Sequence, residues 1–156
     1  MIIFVLNIDT METLQEFLLK KGYTKIKLHL TKTNHFEIKA IINGVKGVFI
    51  LDTGASNSCV GLDALETFKL KATDSEIKAA GAGATDMLTQ ISKVNSLKIG
   101  KWKKEKVALI LFNLSHVNTA LITHNSTPVD GIIGADVLNK AKAVIDYEKK
   151  YLYLKE

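Results

Sequence analysis

Asp52-Thr53-Gly54-Ala55-Ser56, reached directly from the apolar run Val48-Phe49-Ile50-Leu51, combines residue types that can do chemistry. A carboxylate at the end of a buried strand, followed by a small hydroxyl residue and a glycine, sits on a tight turn where backbone and hydroxyl donors can hold it. Such a carboxylate can act as a general acid or base toward a bound water. The Asp-Thr-Gly tripeptide alone would arise by chance in about three of a hundred chains of this length. Requiring the four preceding apolar residues and Ser56 lowers that chance by about two orders of magnitude. The motif occurs once, and a single carboxylate cannot be general acid and general base together, so chemistry that needs both would take its second acid from another chain.

The other chemically suggestive residues have plainer readings. Asp130-Gly131 lacks the hydroxyl residue between acid and glycine and follows Thr127-Pro128-Val129 rather than an apolar strand, so it is a poor internal second acid. His29, His35, His116 and His124 lack metal-ligand spacing. Cys59, the single cysteine, lies in an apolar run and reads as a packed thiol, and it excludes an internal disulfide framework. Asp63 and Asp86 read as loop or cap residues. No metal and no organic cofactor is called for.

The elements that must position Asp52 are legible in the hydrophobic pattern. Residues 36–42 and 45–51 are two apolar, β-branched runs joined by Asn43-Gly44, a strong hairpin signal. Strands are also expected over 91–99 and 107–114, with a closing hairpin of 143–146 and 151–154. Short helices are expected over 62–68 and 135–142, and Ala79-Ala80-Gly81-Ala82-Gly83-Ala84 reads as a mobile hairpin tip. Residues 115–128, which include the only proline, read as a polar connection. Ahead of these, Asp9 and Glu12 resemble a capping box for a helix near residues 10–21, with Leu14, Phe17 and Leu18 on one face and Gly22 as its stop. Ile26, Leu28 and Leu30 then alternate as in a half-buried strand.

Taken together, the Asp-Thr-Gly-Ala-Ser turn, the glycine-rich hairpin about thirty residues later and the Ile132-Ile133-Gly134 segment before a helix resemble the retropepsin-like aspartic peptidases. The likeness is closest to their bacterial single-domain members and runs from about Phe36 to Leu154. It implies an all-β, retropepsin-like acid protease barrel with short helices, plus an N-terminal helix and strand extension. The expected organisation is an extension over residues 1–34 and a peptidase domain over residues 35–156.

The resemblance also implies roles. Asp52 would be the catalytic acid donated once by each subunit of a homodimer, and Thr53 would bond across to the other chain. Gly54 would let the backbone approach carboxylate and substrate. Ala55 and Ser56 would meet a peptide or protein substrate, and Gly81, Ala82 and Gly83 would belong to a flap closing over it. Ile132, Ile133 and Gly134 would pack beneath the catalytic turn, with Asp136 hydrogen-bonding at the helix start. Retroviral members usually carry an acid two places after the motif glycine and an arginine in the later motif; here those positions are Ser56 and Ala135. Both halves of an ion pair that stiffens the viral dimer are therefore absent together. A catalytically inactive module that keeps this fold for binding is the competing reading, and an intact Asp-Thr-Gly turn argues against it. An actin-like phosphotransferase would need two large domains and a second phosphate motif, for which 156 residues offer no room.

Composition narrows the class further. With 47% hydrophobic residues the chain supports one domain with a substantial core. The net charge of +5 comes from lysines alone, spread along the chain without any arginine, which disfavours nucleic-acid recognition. The densest basic cluster, Lys101 to Lys106 around Trp102, reads as a solvated hairpin end with one packed Trp. Met1 to Leu6 is too short and lacks the positive flank of a signal or membrane segment, so the default reading is cytoplasmic, with no membrane partner.

Overall fold

A computed structural model describes residues 11–81 and 84–156, and the side chains of all of these except 78–81 and 84–87. Two strands, β3 (Phe36–Ile42) and β4 (Val45–Leu51), form the predicted hairpin with Phe36 opposite Leu51 and Ile42 opposite Val45. Its turn places Asn43 at φ 49° and Gly44 at φ 84°. Two consecutive left-handed residues give a turn whose twist matches that of the strands, which is why the Asn-Gly pair is found there.

The remaining barrel strands are β5 (Cys59–Gly61), β7 (Ala84–Ile99), β8 (Trp102–Phe112) and β9 (Gly131–Ile133), with β2 (His29–Leu30) and β6 (Thr73–Gly81) at the two ends. The order β2-β3-β4-β9-β5-β8-β7-β6 closes on itself because β3 also pairs with β7, making a closed barrel of six strands. Asn43 secures the closure. Its amide donates to the Ser96 carbonyl, its Oδ1 accepts from the Ser96 amide, and its Nδ2 bonds Phe68 O and Asn95 Oδ1. Asn95 in turn bonds the carbonyls of Ser92 and Val107, satisfying the backbone where the β7–β8 register slips. Buried backbone at such an irregularity survives only with partners of this kind.

The barrel interior is one apolar cluster in which Phe49, Phe68, Leu97, Ile99, Leu111 and Ile133 are wholly buried. Trp102 is packed into it, as the sequence suggests, and Lys103 and Glu105 form an exposed ion pair on the adjoining stretch of β8. Two short helices flank the barrel: α2 (Ser115–Thr123) and α3 (Ala135–Lys140). The segment 62–68, expected as a helix, forms only a 3-10 turn over Leu62–Ala64 before turning into Phe68. The α2 helix replaces the irregular connection expected over 115–128. Leu114, Val117 and Leu121 are spaced as one helical face, and Leu114 and Leu121 are buried. The surrounding polar residues mask that spacing when composition alone is read.

A second, three-stranded sheet has the order β1 (Tyr23–Lys27), β11 (Tyr151–Lys155), β10 (Val144–Asp146). The predicted closing hairpin is thus present, and the stretch expected as one strand near 25–30 is split. Leu28, buried at the break, gives its amide to Lys150 O, so the strand changes sheets there. The helix before it, α1 (Leu14–Lys20), is shorter than expected, and Thr13 caps it in a reciprocal box with Glu16. Asp9 of the expected box lies outside the described residues, while Glu12 instead pairs with Lys20 at 2.6 Å. Of the expected apolar face only Leu18 is buried; Leu14 and Phe17 are half exposed. Among the described residues no helix is long and apolar enough to cross a membrane.

Candidate active site

Parallel pairing of β4 with β9 builds the base of the site. Ile50 lies opposite Ile132 and Leu51 opposite Ile133, and the Asp52 amide continues the ladder by donating to Ile133 O at 3.0 Å. The chain then turns sharply. The Ala55 amide donates to Asp52 O, and the Gly54 amide donates to Asp52 Oδ1 at 2.8 Å. One carboxylate oxygen is thereby fixed in direction by a backbone donor while the half-buried side chain still meets solvent. Thr53, Gly54 and Ser56 are exposed around it, and Ala55 is half-buried.

A second layer of bonds clamps this turn to α3. The Ala135 amide donates to Ala55 O at 2.8 Å. Ser58, wholly buried, donates its hydroxyl to Asp136 Oδ1 at 2.7 Å and its amide to the same oxygen at 2.8 Å. Its hydroxyl also accepts from the Gly134 amide at 2.9 Å. Asp136 therefore reaches across to the loop after Asp52 and bonds it rather than its own helix. Gly134 is required by proximity: a Cβ there would stand 2.6 Å from Ala55 O and 2.9 Å from Asn57 C. These contacts occupy the neighbourhood of Ser56 and Ala135, so hydrogen bonds among uncharged backbone groups, a serine and one acid hold the turn there.

The Ile132-Ile133-Gly134 segment divides between two faces. Ile133 enters the barrel core, whereas half-buried Ile132 joins a separate cluster with Ile50, Val129, Val48, Val117 and Leu121. Gly81 is the last residue of β6, and its strand pairs with β7 as a hairpin. Ala82 and Gly83 lie outside the described residues.

Asp130 is accounted for elsewhere. Its Oδ2 accepts from the Val48 amide at 2.8 Å, and its own amide donates to Val48 O. Val48 is four residues before Asp52 on an extended strand, so Asp130 lies about 13 Å away along β4. Two carboxylates at that separation cannot share a proton. Cys59 is buried beside the site, and burial pushes its thiol up to about 12, with the negative charges of Asp136 and Asp52 adding to the rise. A thiol held neutral in this way is not a nucleophile.

Sequence reasoning missed Ser58 and Asn118. Ser58 sits in the polar run Ser56-Asn57-Ser58, directly before the buried Cys59-Val60, a position where a hydroxyl must find a partner. Asn118 clamps α2 to the approach to β9, its Oδ1 accepting from the Val129 amide at 2.8 Å and its Nδ2 donating to Val129 O at 3.1 Å. A cleft of about 460 Å3, lined by Leu62, Asp63, Asn113, Leu114 and Ile122 among others, lies between α2 and the turn at Leu62–Ala64, and Asp52 is not part of it.

Comparison with known proteins agrees with this architecture. Residues 38–137 match the family described as aspartyl protease. The Gag-Pol polyprotein of walleye dermal sarcoma virus is 26% identical over 131 residues, covering 83% of this chain; the chain spans only 7% of that polyprotein. Among solved structures, a retropepsin-like aspartic protease from Rickettsia conorii superimposes with a TM-score of 0.53 at 24% identity, covering 85% of this chain and 89% of the other. The EIAV protease in complex with the inhibitor HBY-793 gives 0.52 at 17% identity, over 70% and 90% of the two chains. The retroviral protease-like domain of Ddi1 from Leishmania major gives 0.52 at 16%, over 76% and 86%. With the matched segment running from inside β3 through the Asp52 turn to α3, the chain belongs to the aspartyl protease family and has the retropepsin-like fold.

Proposed function

We propose that this protein is an aspartic endopeptidase whose catalytic pair is assembled from two copies of the chain, each donating Asp52. The observation that carries this reading is the Asp52 turn itself: an oriented carboxylate at the edge of the barrel, with Thr53 and Gly54 exposed beside it. Asp130, the acid that sequence reading weighs as an internal partner, is hydrogen-bonded about 13 Å away.

In the dimer the two Asp52 carboxyls share one proton, as in other aspartic proteases, because like charges in contact cannot both ionise comfortably. The ionised member takes a proton from a water held between them as that water attacks the scissile carbonyl. The protonated member donates to the carbonyl oxygen. Collapse of the tetrahedral intermediate returns a proton to the leaving amine. Gly54 N–H holds one carboxylate oxygen in line during these transfers. The Ser58–Asp136–Gly134 bonds keep the turn from shifting against β9. Thr53 contacts the partner turn, Ala55 and Ser56 contact the substrate backbone, and the β6–β7 hairpin closes over it. Residues 35–156 form the catalytic unit, and residues 1–34 extend it by adding β1 to the edge of β11.

Mixing wild-type and Asp52→Asn chains tests the assignment. Asp52→Asn alone should not cleave peptides. In an equal mixture that re-equilibrates, only about a quarter of the dimers carry two intact acids, so activity should fall to about half that of the same wild-type amount alone. An activity unaffected by the Asp52→Asn chain, in a preparation shown by sedimentation to exchange subunits, would refute the shared pair. Full activity in Asp52→Asn would refute the chemistry.

A further inference from the structure

Alternation along β3 and β4 divides the hairpin between two faces. Phe36, Ile38, Phe49 and Leu51 enter the barrel core, which leaves Glu37 on the outer face with Ile50 and Asp52. Glu37 stands directly opposite Ile50, and Asp52 follows two places further along β4. Such a diagonal spans about 7–8 Å, within reach of a long side chain. Glu37 is 8% exposed, and its Oε1 is buried with no hydrogen-bond partner among the described residues. A buried carboxylate oxygen without a donor weakens the fold, and it gains its missing bond when a donor arrives from outside the chain.

The basic groups around it on the sheet are turned elsewhere. His29, opposite Glu37 on β2, is exposed, as is Lys39, two places along β3. His35, two places along in the other direction, has its Nδ1 2.9 Å from Thr33 Oγ1 in the connection between β2 and β3. The α2 helix, which packs Leu121 against Ile50, carries no lysine, and its one titratable residue, His116, is exposed. The row His29, Glu37, Ile50 runs from exposed to buried, so Glu37 stands at the rim between open and covered surface.

We infer that Glu37 is a specificity-determining residue of the peptidase, and that it accepts the ammonium of a lysine or the guanidinium of an arginine next to the cut. The inference rests on the peptidase reading above and deepens it. An ionised carboxylate only accepts hydrogen bonds, and a donor that also carries positive charge matches both its charge and its empty oxygen. A peptide whose carbonyl reaches Asp52 brings its neighbouring side chain onto this face. The methylene stem of a lysine or arginine can lie along Ile50 while its head meets Glu37. An uncharged side chain of the same length gains the apolar contact and leaves Oε1 without a donor.

The test is a set of peptides identical except for Lys, Arg, Met or Leu, placed in turn at each of the two positions flanking the cut and cleaved by the full-length protein. The readout is the ratio of kcat/KM for the Lys peptide to that for the Met peptide, which does not depend on how much of a variant is folded. Wild type should favour Lys at one of the two positions. The ratio there should fall about tenfold in Glu37→Gln, which still accepts a hydrogen bond, and about a hundredfold in Glu37→Leu, which leaves the cation unpaired. Glu66→Gln, which removes one negative charge at an exposed position, should leave it unchanged. A wild type that cuts Lys peptides no better than Met peptides at either position would overturn the assignment, as would a ratio unmoved in both Glu37 variants. An equal fall in Glu66→Gln would overturn it too, since overall charge would then suffice. Failure of the dimeric wild-type protein to cleave any peptide would instead overturn the peptidase reading on which the role of Glu37 depends.

Discussion

Replacing Ser58 by alanine removes a single oxygen from a wholly buried position, yet that oxygen serves two partners. The hydroxyl bond to the Asp136 carboxylate involves a charged acceptor and contributes about 1.5–3 kcal/mol. Without the serine oxygen the Gly134 amide also loses its acceptor, and a buried unsatisfied N–H costs about 1–3 kcal/mol. The space vacated is smaller than a water requires, so solvent cannot replace the bond. Asp136 keeps the Ser58 amide, which moderates the loss. Ser58→Ala should therefore destabilise the protein by about 3 kcal/mol. With a urea slope of about 2 kcal/mol/M, the unfolding midpoint would fall by about 1.5 M. Trp102, the only tryptophan and a buried one, reports the transition by fluorescence, at one fixed protein concentration because assembly adds to apparent stability. Asp136→Asn retains an oxygen that can accept both Ser58 donors and should cost about 1 kcal/mol or less. Ser58→Ala combined with Asp136→Ala should cost clearly less than the sum of the two single changes, since both break one network. A loss below about 1 kcal/mol for Ser58→Ala, or strict additivity in the double variant, would refute the view that these bonds clamp the Asp52 turn.

Three further outcomes are expected. Asp52→Asn should lower kcat by at least about two orders of magnitude, the scale of a lost general acid–base group, while circular dichroism and Trp102 fluorescence stay as in wild type. Gly134→Ala should force Ala55 and Asn57 away from the start of α3, costing about 1–3 kcal/mol in denaturant unfolding and lowering kcat further than the loss of folded protein explains. Cys59 should resist thiol reagents at pH 8 in the native state and react promptly in urea. Because its folded-state value is raised, its contribution is intact below about pH 9, where the thiol is neutral in both states, and is lost as pH rises toward about 12, where the unfolded chain ionises first. The stability difference between wild type and Cys59→Ala should shrink across that interval; a constant difference would refute the assignment.

The hairpin that delivers Asp52 is local chemistry, and the sequence by itself determined it. Asn43-Gly44 supplies two left-handed residues, and the flanking β-branched runs supply strands of matching length, so β3 and β4 were readable to the residue. The Asp-Thr-Gly turn, the β10–β11 hairpin and the helix after Gly134 were legible for the same reason: each depends on neighbours within a few positions. What surrounds Asp52 depends on contacts between residues far apart along the chain. The tie from Asp136 to Ser58 spans 78 positions, and the Asp130 bond to Val48 spans 82, so no window of sequence contains both partners. Likewise α2 looked like a polar connection because its apolar residues are few, and it becomes intelligible only where Val117 and Leu121 meet Ile50, Val129 and Ile132. Sequence specified the strand and the turn that carry Asp52, because strand and turn propensities act locally. Only the closed barrel decided which groups hold it still and what lies beside it, because those bonds exist only once β4, β9 and the two helices are brought together.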